Sequence, residues 1–314
     1  MSVVVVGAGI AGVACASELA AAGVAVRVVE RAAQVGGRMG GHAVAGRTVD
    51  LGAAYFTVRD PAFDRVVQRW RAAGLARPWT SELAVLGDGT RGRAPGPQRW
   101  AAPRGLGGLV AELAAGLTVE LGREVRRVGP GPTVDGEPAE AVVLAMPDPQ
   151  ALRVLDPAHP VAARLACREW SPAIAVAAGW AAREWAGLPA AFVNDHPVLT
   201  LVADDGARRG DDAPVLVAHT TADVARVHVA APDGAIGPVL AALRELLGVR
   251  TAPAWVLAHH WPHASPVQSR EEPFHLGEDG VALAGDGWGS PRVETAWRSG
   301  HLLGRALADR LRGS

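Results

Sequence analysis

The 314-residue chain carries 31 basic and 32 acidic side chains, a net charge of −1, which gives no electrostatic footprint for nucleic acid or an anionic membrane surface. No run reaches the roughly 18 apolar residues of a membrane span; with Cys15 and Cys167 as its only cysteines, the chain is expected to hold two buried thiols in a reducing cytoplasm and no metal site. The length suits about two domains. Every basic side chain is an arginine, which excludes Schiff-base chemistry and a lysine general base.

Four consecutive β-branched residues, Val3 to Val6, read as a strand buried on both faces, and they run into Gly7-Ala8-Gly9-Ile10-Ala11-Gly12. In this G-x-G-x-x-G, Gly7 permits the tight strand-to-helix turn. Gly9 lets the backbone approach a pyrophosphate, and Gly12 lets the helix sit close to the strand. The helix N-terminus then offers free N–H groups and a positive dipole end to phosphates. Gly23 fits a C-cap, and a second strand, Val24 to Val29, ends at Glu30. That acid lies 23 residues after Gly7 (30 − 7), about where a carboxylate meets ribose hydroxyls. Val3 to Ser17 is uncharged and Ala14-Cys15-Ala16 imitates a processing site, but only Met1 and Ser2 precede it, so a secretion signal is not expected.

After Glu30 and Arg31 come Gly36-Gly37-Arg38, a triplet that can bring two backbone N–H groups and a guanidinium onto the same pyrophosphate. A hairpin-like GHAVAGRTVDLGAAYF follows. Asp60 caps a helix that Pro61 opens, whose apolar stripe is Phe63, Val66, Val67 and Trp70 and which Gly74 closes. Residues 82–100 read as a hairpin turning at Gly87-Asp88-Gly89, 106–115 as a helix, and 117–128 as two strand-like runs. The Pro- and Gly-rich stretch 129–138 is expected to be a surface loop, and Ala141 to Ala145 a short buried strand.

Further on, strands are expected near 174–179, 198–203, 215–220 and 255–260, a helix over Val239, Leu240, Leu243 and Leu247, and a helix around Cys167. Asp204 to Asp212, DDGARRGDD, reads as a charged surface turn between two of those strands. His259-His260-Trp261-Pro262-His263 lacks an acid or thiol at ligand spacing, and adjacent strand residues point to opposite faces, which argues against zinc. A last buried strand, Val281 to Ala284, leads to Gly285-Asp286-Gly287-Trp288 and a helix opening around Arg292-Val293.

G-x-G-x-x-G, an acid closing the second strand, the Gly36-Gly37-Arg38 triplet and a C-terminal Gly285-Asp286 before a helix together resemble the FAD-dependent amine oxidase superfamily with the glutathione-reductase-type nucleotide fold. Finer phrases, Asp50-Leu51-Gly52-Ala53-Ala54-Tyr55-Phe56-Thr57, Trp100 with Pro103 to Leu109, and Gly285 to Trp288 with Arg292 to Trp297, are similar to renalase and its bacterial relatives. The resemblance implies an α/β protein: a Rossmann-like FAD-binding domain with a parallel sheet (1–57, 94–148 and 268–314) and a smaller α+β substrate domain with a mixed or antiparallel sheet (58–93 and 149–267).

It implies non-covalent FAD held by Gly7, Gly9, Ile10, Ala11, Gly12, Glu30 and Arg31 at its nucleotide end, and by Gly36, Gly37 and Arg38 at the pyrophosphate. Ala53, Ala54 and Arg292 complete the site, the Val125 backbone meets the adenine, Asp286 holds the ribityl chain, and the N–H groups of Val293 and Glu294 meet the flavin pyrimidine. The resemblance sets the 259–263 strand over the flavin, so Trp261, His263 and Trp288 are expected to wall the pocket. The implied reaction is hydride transfer to flavin N5 from a small dihydronicotinamide-type substrate, with oxygen as acceptor and H2O2 as product. Amine oxidation or desaturation of a small metabolite is the alternative, and a flavin-binding protein without turnover a third reading.

Overall fold

The computed structural model describes residues 2–87, 90–129, 131–166, 168–185 and 187–313. Asp88 and Gly89 of the expected hairpin turn, and Cys167 with its expected helix position, lie outside the described residues. In chain order the nucleotide motif spans β1 (Val3–Val6), α1 (Ile10–Ala21) and β2 (Val26–Glu30). Next come a hairpin, β3 (Gly41–Val44) and β4 (Arg47–Asp50), then β5 (Phe56–Thr57) and α2 (Pro61–Ala72). A long hairpin, β6 (Arg77–Gly87) and β7 (Thr90–Ala101), leads through α3 (Gly107–Leu113) to β8 (Thr118–Leu121). Three two-residue strands follow, β9 (Val128–Gly129), β10 (Thr133–Val134) and β11 (Glu137–Pro138), then β12 (Val142–Leu144), α4 (Asp148–Val154) and α5 (Ala162–Ala166).

The second half contributes β13 (Trp170–Gly179), β14 (Ala190–Val193), β15 (Leu199–Asp204), α6 (Asp205–Arg209), β16 (Val215–Thr220), α7 (Ala222–Val227), α8 (Ile236–Leu247) and β17 (Trp255–Pro266). It closes with β18 (His275–Leu276), β19 (Val281–Leu283) and α9 (Val293–Arg312).

Two sheets organise these elements. The first has the order β18-β19-β12-β1-β2-β8; its five inner and far strands run parallel and β18 is an antiparallel edge. Val3 and Val5 pack with α1, α3 and α9 on one face, Val4 and Val6 with α4, α5 and Val128 on the other. Burial on both faces is why these strands read as unbroken valine runs. The second sheet, β17-β13-β16-β15-β14-β6-β7-β5, is antiparallel except between β14 and β6. Its outer face, with Ile174, Val176, Leu216 and Ala218, is covered by α7 and α8 through Ala225, Val239 and Leu243. Its inner face, with Ala175, Ala177 and Val217, meets Val49 and Leu51 of the β3–β4 hairpin.

Local chemistry accounts for several element ends. The Asp60 carboxylate accepts from the N–H groups of Ala62 and Phe63 at the start of α2, and Phe63, Val66, Val67 and Trp70 are its buried stripe. The expected boundary at 93/94 falls inside β7, which belongs to the second sheet over its whole length, as does β5. The described residues of the stretch 129–138 depart from the expected loop: with Val128 they form the small antiparallel sheet β9–β11, in which Val128 and Val134 are buried.

A larger correction concerns the segment from Asp204. It is a short helix whose charges point inward, because each finds a counter-ion. Arg208 pairs with Asp205 and donates to the carbonyls of Ala54 (3.0 Å) and Asp50 (3.4 Å). Arg209 lies 3.4 Å from Asp50 and 3.1 Å from Asp205, and Arg47 reaches Asp205 at 2.6 Å. Burial raises the Asp50 carboxyl against the pull of Arg208 and Arg209, whereas at Asp205 the same two arginines outweigh burial and lower it.

Candidate active site

The first glycine-rich turn is built as the spacing requires. Gly7 has φ 107°, open to glycine alone without strain, and a Cβ there would lie 2.7 Å from the Ala145 carbonyl oxygen. A Cβ at Gly12 would collide with the Gly7 carbonyl oxygen, so this glycine sets the contact between α1 and β1. Gly9 differs: a Cβ there meets no protein atom within 4 Å. The protein does not need that glycine for its own packing, and the space beside it is open. No side chain caps α1, so its first N–H groups face the same space.

The second turn stands against the first. Gly36 donates its N–H to the Ala8 carbonyl (2.9 Å) and bridges Gly9, with φ 124° at Gly36 and 54° at Gly37. Glu30, nine-tenths buried, accepts from the N–H groups of Ala8 and Ala32, both at 2.8 Å, and so ties the end of β2 to the turn. The Val125 segment is laid alongside by the Arg123 N–H, which donates to the Glu30 carbonyl (3.0 Å), and Val125 is buried against Val29. Arg31 is exposed and Ile10 and Ala11 are buried at the head of α1.

Arg38 and Asp286, 248 residues apart, form a bidentate ion pair at 2.5 and 2.8 Å. Arg38 also donates to the Ala264 carbonyl of β17 (3.0 Å), its guanidinium lies 5.3 Å from the Trp170 ring, and its own carbonyl accepts from the Ala53 N–H (3.0 Å). Through its backbone Arg38 holds the Ala53–Ala54 loop, and through its side chain it joins the C-terminal aspartate to the second sheet. The α9 N-terminus has no side-chain cap, and Arg292 before it is extended and exposed. The Glu294 carboxylate turns away to accept from the N–H groups of Arg59 and Asp60 at 2.6 and 2.7 Å. The N–H groups at Val293 and Glu294 therefore stay available at the helix start. Gly300 and Gly304 bring α9 onto α1 with backbone against backbone: a Cβ at either would strike the carbonyls of Ala11 or Cys15.

The three expected pocket residues part company. His263 lies among Arg153, Arg38 and Arg31; burial and those cations hold its imidazole below the usual histidine range. Trp261 donates its ring N–H to the Leu51 carbonyl (2.9 Å) and packs on the β3–β4 hairpin beside His259, 4.2 Å between centroids. His259 is pushed down to about 4 by burial and by His42 and His260. Trp288 is buried, with the Arg270 guanidinium 4.4 Å over its ring. Arg270, which sequence reasoning passed over, pairs with Asp148 at 2.6 Å and donates to the Gly287 carbonyl at 3.1 Å, fixing the loop that carries Asp286. A lone arginine in a polar stretch gives no sequence signal for such a role. Among the described residues no group of three or more histidines, cysteines or carboxylates is arranged to hold a metal ion, and no helix is long and apolar enough to cross a membrane.

A family model described as flavin containing amine oxidoreductase matches residues 60–306, and one described as NAD(P)-binding Rossmann-like domain matches residues 5–70. The chain belongs to the flavin-containing amine oxidoreductases. Solved structures with the same fold include a protoporphyrinogen oxidase from Exiguobacterium sp. 255-15 (TM-score 0.78, 15% identity, 98% of this chain and 99% of that one). Cyclohexylamine oxidase from Brevibacterium oxydans IH-35A gives TM-score 0.78 at 16% identity over 99% of both chains. Putrescine oxidase bound to putrescine gives 0.71 at 17% identity over 100% of this chain and 99% of that one. As a flavin-containing amine oxidoreductase the protein is a FAD-dependent oxidoreductase with a Rossmann-like α/β fold. The residues fit that cofactor: the open cradle at Gly9, two uncapped helix starts for anionic oxygens, and the Arg38–Asp286 pair between them.

Proposed function

We propose that this flavoprotein is a renalase-like oxidase that takes hydride from a dihydronicotinamide-type or similar small substrate and passes the electrons to oxygen. The observation that carries the reading is the convergence on Arg38 of the glycine turns, Asp286 and β17, in a chain without lysine. FAD supplies the hydride acceptor and the reaction with oxygen. The protein's share is binding and orientation: the open space at Gly9 leaves room for phosphates, Glu30 and Asp286 would serve as hydroxyl acceptors, and β17 carries His263. A dihydropyridine needs no base to lose hydride, which suits a site where burial and neighbouring cationic or imidazole groups make His259 and His263 weak bases. Trp261, His263 and Trp288 would then act on orientation, the first sheet carrying the cofactor and the second facing the substrate.

Anaerobic bleaching of the bound flavin by a panel of dihydronicotinamide isomers and amines tests the reading. Rapid reduction by a dihydronicotinamide, with a rate nearly flat between about pH 6.5 and 8.5, is expected. Bleaching by amines alone, with a sigmoidal pH profile, would move the assignment to amine oxidation.

A further inference from the structure

Among the described residues, four arginines are buried: Arg99, Arg208, Arg209 and Arg270. Three of them face aspartates. Arg99 does not. It is 5% exposed, and among the described residues it has no ion-pair partner and no acceptor for Nε or Nη1. Its position on β7, opposite Thr57 of β5, puts it on the strand pair that continues directly from the Ala53–Ala54 loop. The guanidinium is flanked by the rings of Tyr55 (5.4 Å) and Phe192 (5.9 Å), and Tyr55 in turn meets Trp79 at 6.2 Å. A Cβ at Gly96 would come 3.0 Å from Nη2, so glycine there leaves the group its space. Aromatic faces steady the flat cation but leave its N–H edge unanswered. A buried, permanently charged fork without an anion is costly and persists where a ligand completes it.

We propose that Arg99 is the anion anchor of the substrate site, receiving a carboxylate or phosphate of the substrate on its N–H edge between Tyr55 and Phe192. The inference deepens the oxidase reading, on which it rests only for calling the anion's carrier a substrate.

The test is calorimetric titration of the FAD-loaded enzyme with benzoate, with inorganic phosphate and with uncharged benzamide. The wild type should bind at least one of the anions and not benzamide; preference for benzoate would point to a carboxylate donor, and preference for phosphate to a phosphorylated one. Arg99→Gln should weaken that anion by at least roughly tenfold while melting no lower than wild type, because an unpaired buried charge is removed. Should Arg99→Gln fail to fold, Arg99→Lys, which keeps the charge but not the fork, must still weaken the anion. Equal binding of benzamide, no binding of either anion, or unchanged anion affinity in the variants overturns the anchor. Anion binding lost with Arg99 but no bleaching by any dihydronicotinamide would reject the oxidase substrate class and keep the anchor.

Discussion

At Gly9 a side chain would meet only open space, and at Gly12 it would strike the Gly7 carbonyl, so the two glycines of one motif fail in different ways. Gly9→Val should leave the apoprotein's melting temperature unchanged and abolish flavin content, measured by absorbance after purification. Gly12→Val should destabilise the fold first, by the roughly 1–3 kcal/mol of an overpacked contact or more where backbone is struck, read as a lower melting temperature. Glu30→Ala removes the acceptor of two backbone N–H groups and, on the proposed FAD site, an acceptor for the ribose. With each charge-assisted bond worth roughly 1.5–3 kcal/mol, it should lower both FAD affinity and apoprotein stability, read by fluorescence titration and urea unfolding. His219, on the inner face of the second sheet, is pushed down to about 4 by burial, with Arg208 adding to it. The folded protein therefore resists a proton that the unfolded chain takes up near 6.5, and stability falls as pH drops from 6.5 to 4. The loss at this one site has an upper bound of about 3 kcal/mol. His219→Gln should flatten the fall in melting temperature between pH 7 and 4.5.

Helix α9 approaches α1 at Gly300 and Gly304 with backbone against backbone, so the two helices run parallel in close contact and both begin without a side-chain cap. Gly300→Val should lower the urea midpoint and the flavin content together, because separating the helices also displaces the Val293 N–H. The elements themselves were legible where chemistry is local. Asp60 and Pro61 mark the start of α2, the Val66–Val67–Trp70 spacing its inner face, and the valine runs the parallel strands. The segment from Asp204 was not, because the partners that draw its charges inward, Arg47 and Asp50, lie some 158 residues earlier and no local pattern announces them. For the same reason Arg270 and Arg99 escaped notice: a partner, or the want of one, is visible only once the strands are assembled.

At the scale of the whole molecule, the Arg38 side chain ties the glycine turn to Asp286 and to the second sheet. Arg38→Ala should cost most of the FAD retained through gel filtration while leaving far-UV circular dichroism unchanged. The motif positions around it were readable in sequence because each contributes backbone N–H groups at fixed spacing; the pairing of Arg38 with Asp286 was not. The strand order carries a consequence for how the protein is made. Val4 of β1 pairs with Val142, and Val142 pairs with Val281. At translation rates of 5–20 residues per second, the first strand waits on the order of tens of seconds before the last neighbour of its sheet leaves the ribosome. Throughout that interval the nascent chain displays a bare valine edge and half a nucleotide cradle, without Asp286 to complete it. On the proposed FAD site, the cofactor therefore meets a finished cradle only after the strand and loop that carry Asp286 have been made.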